Sequence, residues 1–526
     1  MRGRMRSAVV VVAIIGGAVA YAKSQSPASS TSSGSPTAAQ LRQVAYLKAS
    51  NPGEDFHFGC GGTLTGHAGN AMAISSDGNT IAVGAPHESS GATGINGNQN
   101  DKSVYSSGAV YVFTRNGNTV VQQAYIKASN PMESANFGSS VVLSRDGNTM
   151  AVAAYYESSA ATGINGNQND RSIPEAGAVY VFTRTGSTWS QQAYIKASNT
   201  GQAAIGDGFA EGDQFGYSIA LSADGNTLVA GAIGEDSKAE AINGDQKDDS
   251  ANQSGAAYVF ARSGSTWTQQ AYVKSSMTRP NVLFGYSIGI SGTGDTLAVA
   301  EYDADRGKGA LYVLTRAGGT WTHQARIQAE NAENGDSLGY SLAISEDGNT
   351  IAAGAADEDC MVPGVNPAGC DKDQPQDNSS GAAYVFVRNG GTWTQQAFMK
   401  ASNPSKNGWF GVRLGISGDG NTVAVSSPQE DSASKGINGS QTDLTASESG
   451  AVYFFTRTGT TWKQQAYVKS SNSDASDEFG SSLALSRDGR TMVVGARGED
   501  SGAKGMNGNQ ADNSVRDAGA AYMLVR

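Results

Sequence analysis

The amino-acid sequence predicts an all-β fold, a seven-bladed β-propeller whose blades are four-stranded antiparallel sheets. Three recurring motifs carry this prediction. A hairpin motif, Ser-x-Asp-Gly-Asn-Thr or a close variant, occurs seven times; Phe-Gly or Leu-Gly precedes each copy, and Gly-Ala-x-Tyr follows it. The segments between these motifs are short and rich in Val, Tyr, Phe and Thr, and they show no helical period. Seven similar units of this kind are expected to stack around an axis.

Each unit is predicted to contain four strands. In the third unit these begin at Phe215 (FGYSIALS), Thr227 (TLVAGA), Gly255 (GAAYVFAR) and Thr266 (TWTQQAYVKSS). The Asp-Gly turn joins the first two strands, because such a hairpin turn requires positive φ. No fourth-strand segment follows the seventh unit, but a counterpart, QVAYLKAS, begins at Gln43 near the N-terminus. This N-terminal strand is therefore predicted to join the last blade and close the ring, which removes exposed strand edges.

The N-terminus has the pattern of an export signal. Residues 1–22 contain three arginines, an apolar run and a small-residue site at Ala20-Tyr21-Ala22, so they predict a cleaved signal peptide. A retained membrane anchor is the alternative, but the apolar run is short compared with the roughly 20 residues of a span. Residues 23–40 predict a flexible leader and residues 41–526 the propeller. The mature protein is expected to be secreted, periplasmic or at the cell surface, with no membrane span after cleavage.

The net charge limits the classes of partner, and the cysteines predict one disulfide. The formal net charge is −11, and removing the three arginines of the signal, which has no acidic residue, lowers it to −14. An acidic exported chain argues against a nucleic-acid partner and suits cations or ligands bound through hydrogen bonds. Cys360 and Cys370 flank one loop and predict a disulfide in an oxidising compartment. Cys60 is expected to be a small buried thiol.

The motifs resemble a known repeat. Phe-Gly at the start of each unit, with Gly84-Ala85-Pro86 after the second strand, is similar to the FG-GAP repeat of the integrin α-chain head propeller and of exported bacterial proteins. The resemblance covers essentially all of residues 41–526, and it implies a propeller. Integrin-like blades also bind calcium through Asp-x-Asp-x-Asp-Gly loops between strands one and two. Here that turn has a single acidic residue, such as Asp77, and cannot supply the six to eight oxygens of calcium, so these aspartates are interpreted as turn residues.

The loops between strands two and three carry a repeated polar heptad: INGNQND at Ile95 and at Ile164, with variants at Ile242, Ile437 and Met506. The fifth unit has the Cys360–Cys370 loop in its place, and the fourth unit lacks it. These loops share one face of the ring, here called the long-loop face, with the linkers between blades. Binding residues gather on loops held by a rigid scaffold. The predicted ligand-binding residues are the heptad asparagines and one tryptophan: Asn96, Asn98, Asn165, Asn167, Asn243, Asn438, Asn507, Asn509 and Trp409.

Two compatible interpretations explain the heptad. In the structural one, Asn and Gly adopt left-handed backbone and bond nearby amides, so the loops stack blade on blade. In the other, the acidic start of the loop and its terminal Asp bind Ca²⁺ together with backbone oxygens. The candidate calcium ligands are Glu88, Asp101, Glu157, Asp170, Glu235, Asp236, Asp245, Asp248, Glu430, Asp431, Asp443, Glu499, Asp500 and Asp512. Calcium is the one candidate cofactor.

The sequence contains no convincing catalytic set. Its four histidines have no metal-binding spacing, and Gly285-Tyr-Ser-Ile-Gly289 lies in a strand position rather than at a nucleophile elbow. The tryptophans that begin the fourth strands, such as Trp189, are expected to pack between blades rather than stack on sugars. The sequence therefore predicts a non-catalytic, integrin-like binding or adhesion module for an extracellular protein or glycan. The alternatives are a carbohydrate-binding propeller and a hydrolase near blades four and five, where Glu301 and Asp303 lie.

Overall fold

The seven predicted hairpins form at the seven Ser-x-Asp-Gly turns and their variants. In the first, the N–H of Thr80 donates to Ser75 Oγ at 2.9 Å, and the N–H of Asn79 donates to Asp77 Oδ1 at 3.0 Å. Gly78 has φ +72°, as this turn requires. The aspartate therefore closes its own turn, as the sequence predicts.

The computed structural model describes residues 40–61, 69–201, 212–370 and 378–526. The predicted signal peptide and nearly all of the predicted leader lie outside these residues. Within residues 41–526, the described strands form seven antiparallel sheets of four strands each, and the strands follow one another in chain order except in the last sheet. The predicted all-β class and the seven-bladed propeller are confirmed. No helix of the described part is long and apolar enough to cross a membrane.

The blades are numbered along the chain. The strands of blades one to three are β2 (Met72–Ile74), β3 (Thr80–Ala85), β4 (Ala109–Asn116) and β5 (Thr119–Ile126); β6 (Ser140–Leu143), β7 (Thr149–Ala154), β8 (Ala178–Thr185) and β9 (Thr188–Ile195); and β10 (Ile219–Leu221), β11 (Thr227–Ala232), β12 (Ala256–Ser263) and β13 (Thr266–Val273). Blade four has β14 (Phe284–Ile290), β15 (Thr296–Glu301), β16 (Ala310–Ala317) and β17 (Thr320–Ile327), with a four-residue turn, α1 (Ala304–Gly307), between its second and third strands.

The remaining blades complete the ring. Blades five and six are formed by β18 (Leu342–Ile344), β19 (Thr350–Ala355), β20 (Ala382–Asn389) and β21 (Thr392–Met399); and by β22 (Leu414–Ile416), β23 (Thr422–Ser427), β24 (Ala451–Thr458) and β25 (Thr461–Val468). Blade seven is formed by β26 (Phe479–Leu485), β27 (Thr491–Ala496) and β28 (Ala520–Val525), together with β1 (Arg42–Leu47) from the N-terminus. Tyr46 of β1 pairs with Tyr522 of β28, which confirms the predicted ring closure.

Hydrophobic clusters lie between neighbouring blades. In the cluster between blades one and two, the Phe137 ring of Phe-Gly packs edge-on against Tyr180 and Phe182 of β8, with ring centroids 5.3 and 6.1 Å apart. Trp189 is buried in the same cluster, and its Nε1 donates to Gln123 Oε1 of the preceding blade at 3.0 Å. The prediction that these tryptophans pack between blades is confirmed.

The first strands of all seven blades line an axial cavity of about 250 Å³. At the end with the short hairpin turns, backbone hydrogen bonds join each of the first six turns to the next, as from Ser76 N to Arg145 O at 2.9 Å. Glu346 of blade five forms ion pairs with Arg145 of blade two and Arg487 of blade seven.

Candidate functional site

The heptad covers the outer edge of its blade. In blade two, Asn165 has φ +56°; its N–H donates to Tyr194 O at 2.7 Å, and its Oδ1 accepts the Tyr194 N–H at 3.0 Å. The Lys196 N–H donates to Gly163 O at 2.7 Å. These bonds satisfy backbone groups of the outermost strand that would otherwise be an open edge. The same side-chain bond is made by Asn96, Asn243, Asn438 and Asn507.

Blade five keeps this contact although its loop has a different sequence. The expectation that the cysteine loop replaces the heptad is therefore only partly right. Asn366 accepts the Phe398 N–H at 2.7 Å, and Gly364 O accepts the Lys400 N–H at 2.8 Å. The disulfide between Cys360 and Cys370 is formed, as predicted, and encloses this contact. Cys60 is buried.

The rest of the heptad turns on itself or contacts the preceding blade. Asn167 and Asp170 accept the N–H groups of Asn169 and Ser172, at 3.1 and 3.0 Å. The carbonyl of Gln168 accepts from Asn130 Nδ2 of blade one at 2.9 Å. The equivalent local turns are made by Asn98, Asp101, Asp245, Asp248, Asp443, Asn509 and Asp512. These contacts favour the structural interpretation of the heptad.

The acidic residue that starts each loop is buried against a lysine. Lys196 Nζ lies 2.9 Å from Glu157 Oε2, and both side chains are inaccessible to solvent. Asn130 Nδ2 donates to Glu157 Oε1 at 3.0 Å, so both oxygens of the carboxylate have partners. Burial lowers the pKa of Lys196, and the neighbouring Glu157 opposes that shift. Six blades have the pair: Glu88–Lys127, Glu157–Lys196, Glu235–Lys274, Glu358–Lys400, Glu430–Lys469 and Glu499–Lys48.

This geometry does not provide a set of side-chain ligands for the predicted calcium ion. In the described ranges, no heptad loop brings three acidic or histidine ligands within reach of one ion. The second acidic residues of these loops, Asp236, Asp431 and Asp500, accept backbone N–H groups at 2.7, 2.9 and 2.7 Å. Calcium binding by the heptads stays a prediction. The burial of these lysines was not predicted from the sequence, although a Lys follows the fourth-strand motif in six units.

A second set of positions surrounds the axis on the long-loop face. At each junction between blades, the residue before Phe-Gly or Leu-Gly donates its N–H to the residue two before Gly-Ala-x-Tyr of the preceding blade, at 2.7–3.2 Å. Both residues have positive φ at all seven junctions. We call each junction an inner seam. Its donor and acceptor residues are His57–Asp517, Asn136–Ser106, Gln214–Glu175, Leu283–Gln253, Ser337–Gly307, Trp409–Ser379 and Glu478–Glu448. The backbone is constant, whereas the side chains differ from seam to seam.

Aromatic side chains converge on one side of this inner ring. The aromatic arc consists of Tyr155, Tyr156, Tyr217, Tyr286, Tyr302, Tyr340 and Trp409. The Tyr286 ring stacks on Tyr302 at 4.2 Å and lies 5.3 and 5.6 Å from Tyr217 and Tyr340. Tyr156, Tyr302 and Trp409 are partly exposed. Of the predicted ligand residues, Trp409 lies in this arc, whereas the heptad asparagines lie at the outer edge.

Ionisable side chains converge at the seam where the ring closes. Ligand atoms of Asp55, His57 and Asp517 lie within 4.8 Å of one another, and the His57 and His87 rings are 4.7 Å apart. Burial, together with smaller contributions from His87, Arg497 and Arg516, lowers the pKa of His57 to about 3. The imidazole is therefore neutral at pH 7. Sequence reasoning missed this cluster because residues 55 and 517 are far apart in the chain.

The region suggested for a hydrolase site contains a buried carboxyl group, that of Glu301. Burial raises the pKa of Glu301 and of Asp303. Glu301 ends β15 and is almost inaccessible to solvent. Ser287 lies in β14, and its Oγ donates to Gly339 O at 2.6 Å, so the serine motif is part of a blade.

Comparison with known proteins identifies the repeat. The family model for the FG-GAP repeat matches residues 321–386 and 462–524. Each matched segment runs from the fourth strand of one blade to the third strand of the next. A search of curated proteins found no match. The predicted FG-GAP repeats are thus confirmed, and they occur in a seven-bladed propeller.

Proposed function

We propose that this protein is an exported, non-catalytic, integrin-like binding module that contacts an extracellular protein through the aromatic arc. The observation that carries the proposal is the asymmetry of the inner ring. Seven seams share one backbone, yet the tyrosine and tryptophan rings of the arc come from the five consecutive blades two to six and not from blades seven and one. Repetition of the fold does not require this asymmetry. The FG-GAP repeats and the disulfide are in keeping with an extracellular protein.

The chemistry of the arc suits a protein partner. Tyrosine and tryptophan dominate the binding energy of many interfaces, because they bury a large apolar area and keep one polar atom available. The stacked Tyr286 ring supports Tyr302 from below, so little side-chain freedom is lost when a partner covers Tyr302. Adhesion would follow from many such modules acting on one surface.

A panel of purified extracellular-matrix proteins, presented to the immobilised full-length protein, tests this proposal. Saturable binding that weakens at least about tenfold in Tyr302→Ser and in Trp409→Ser supports it. Tyr105→Ser is the matched control, because the Tyr105 side chain is 65 % exposed and does not belong to the aromatic arc. Binding that all three variants leave unchanged, or that only Tyr105→Ser weakens, contradicts the proposal.

A carbohydrate partner is the second candidate, and the partly exposed ring of Trp409 is the observation that favours it. A flat aromatic face beside further rings can stack against the apolar face of a sugar. A glycan array separates the two candidates. Selective glycan binding lost in Trp409→Ser, with no binding to the protein panel, would replace the protein-binding proposal by a lectin.

A further inference from the structure

The closure seam differs chemically from the seam beside it while sharing its backbone. Asp55, His57 and Asp517 have φ of +57°, +50° and +50°; Ser134, Asn136 and Ser106 occupy the same places in the next seam, with +58°, +56° and +48°. The His57 N–H donates to Asp517 O at 3.1 Å, and the Asn136 N–H donates to Ser106 O at 3.1 Å. The backbone conformation of the closure seam therefore does not require the two carboxylates and the imidazole, because other side chains adopt the same conformation in the next seam.

The three side chains form a ligand set for a metal ion. Their ligand atoms approach one another within 4.8 Å, close enough to share one ion. Nδ1 of His57 is buried and has no hydrogen-bond partner, which is rare for a polar atom in a folded protein. The side chains of Asp55 and Asp517 are 48 % and 35 % exposed, so an ion can reach them and water can complete its coordination.

The surrounding charges allow a cation here. Glu54, Asp55 and Asp517 lie around Arg516, whose Nη2 is 2.8 Å from Asp55 Oδ2 and 3.1 Å from Glu54 Oε1. This guanidinium competes for one oxygen of Asp55, and its Nε lies 4.0 Å from Asp517 Oδ2, but its side chain is 62 % exposed and can turn toward Glu54. Arg497 also acts on His57 and Asp517, but its guanidinium is paired with Glu478. Asp500 adds a fourth carboxylate, since its Oδ1 accepts the Asp517 N–H at 2.7 Å.

We propose that Asp55, His57 and Asp517 bind one divalent transition-metal ion, Zn²⁺ or Mn²⁺, across the seam where the propeller closes. Imidazole suits zinc and other transition metals, and carboxylates also accept manganese, whereas calcium prefers a larger set of oxygens. Two ligands come from the segment after β1 and one from the loop before β28. The ion would therefore tie together the two ends of the chain, which are otherwise joined by noncovalent contacts. The three proposed ligands lie outside the heptads and outside the aromatic arc.

The neighbouring seam supplies matched variants. Asp55→Ser, His57→Asn and Asp517→Ser together give the closure seam the side chains of the next seam, whose backbone already accepts them. The reciprocal variant carries Ser134→Asp, Asn136→His and Ser106→Asp and creates a second copy of the set. The full-length protein and both variants are stripped of metal with a chelator and titrated calorimetrically with ZnCl₂ and, separately, with MnCl₂.

The expected stoichiometry is one ion per chain in the natural protein, none in the serine–asparagine–serine variant and two in the reciprocal variant. Thermal unfolding should shift upward with the ion only in proteins that bind it. The proposal is overturned if neither metal binds the natural protein, or if binding survives the three removals. A reciprocal variant that folds and still binds only one ion would also contradict it. His57→Asn alone, which should lose the binding, replaces the triple variant should that variant fail to fold.

Discussion

The outer edge of the propeller and its inner ring differ in what they repeat from blade to blade. At the outer edge, six blades use the same asparagine contact and the same buried lysine–glutamate pair. At the inner ring, seven seams use the same backbone hydrogen bond but different side chains. Recurrence of side chains at the outer edge marks what each blade needs for stability. Variation on a constant backbone marks where side chains are free to serve binding.

Blade four supports this distinction because it lacks the outer-edge set. Ala304 and Gln328 stand where the other blades have the glutamate and the lysine. Gln328 Nε2 instead donates to Asp305 Oδ2 at 3.0 Å and to Gly309 O at 3.2 Å, and Arg326 pairs with Asp305 at 2.6 Å. Neither member of the pair occurs in blade four without the other, as expected if an unpaired buried charge is not tolerated.

The largest expected effect comes from breaking one buried pair. Glu157→Ala leaves the Lys196 ammonium buried without its carboxylate, and we expect a loss of about 3–5 kcal/mol in the free energy of unfolding. Adding Lys196→Gln gives blade two the pair of residues found in blade four and should recover much of that loss. Urea denaturation measures both. Equal losses in the single and double variants would show that the pair is not the stabilising unit.

The next effect comes from the heptad asparagine. Asn165→Ala removes the acceptor of the Tyr194 N–H and places a less suitable residue at positive φ, so we expect a loss of about 1–2 kcal/mol. Amide hydrogen exchange at Tyr194 should accelerate in this variant, because the Tyr194 N–H loses its acceptor and lies at an uncovered strand edge. Asn167→Ala, in the same heptad, should leave that amide protected. Similar exchange in both variants would argue against an edge-covering role.

A third expected effect is a pH dependence at the inner ring. Burial raises the pKa of Asp213, Asp336 and Asp477 to about 7 each, from an ordinary value of 3.8. Between about pH 4 and pH 7 the folded protein therefore binds more protons than the unfolded chain, so its free energy of unfolding falls as the pH rises. Asp336→Asn should flatten this dependence by up to about 1.4 kcal/mol per pH unit.

Urea denaturation between pH 4.5 and pH 7.5 checks this effect. Asp347→Asn is a suitable control: burial opposes the shift, but hydrogen bonds from Ser345 and Asn349 hold the pKa of Asp347 below its ordinary value. That turn aspartate titrates below the measured window. If the two variants change the pH dependence of the free energy of unfolding equally, Asp336 does not titrate in this range.

The sequence predicted the parts of this fold that depend on local chemistry. The Asp-Gly hairpins and the closing strand follow from residues near one another or from a missing copy of a repeat. The lysine partner of Glu157 was not predicted, because a lysine at the end of a strand is usually solvated and only the packed blade shows its burial. The hydrogen bond between Asn366 and the Phe398 N–H was not predicted, because the loop around Asn366 does not have the heptad sequence. The cluster of Asp55, His57 and Asp517 depends on two chain ends that meet only in the closed ring.

The pairing of β1 with β28 imposes an order on assembly. Translation proceeds from the N-terminus, so β1 exists long before its partner β28 has been made. Blades one to six can form in sequence while β1 remains an unpaired strand, and unpaired strands are prone to join the wrong neighbour. Formation of β28 thus removes this hazard, because it gives β1 its partner. A chain that lacked β28 would leave β1 unpaired and the ring open, so the propeller cannot be completed by any smaller set of its strands.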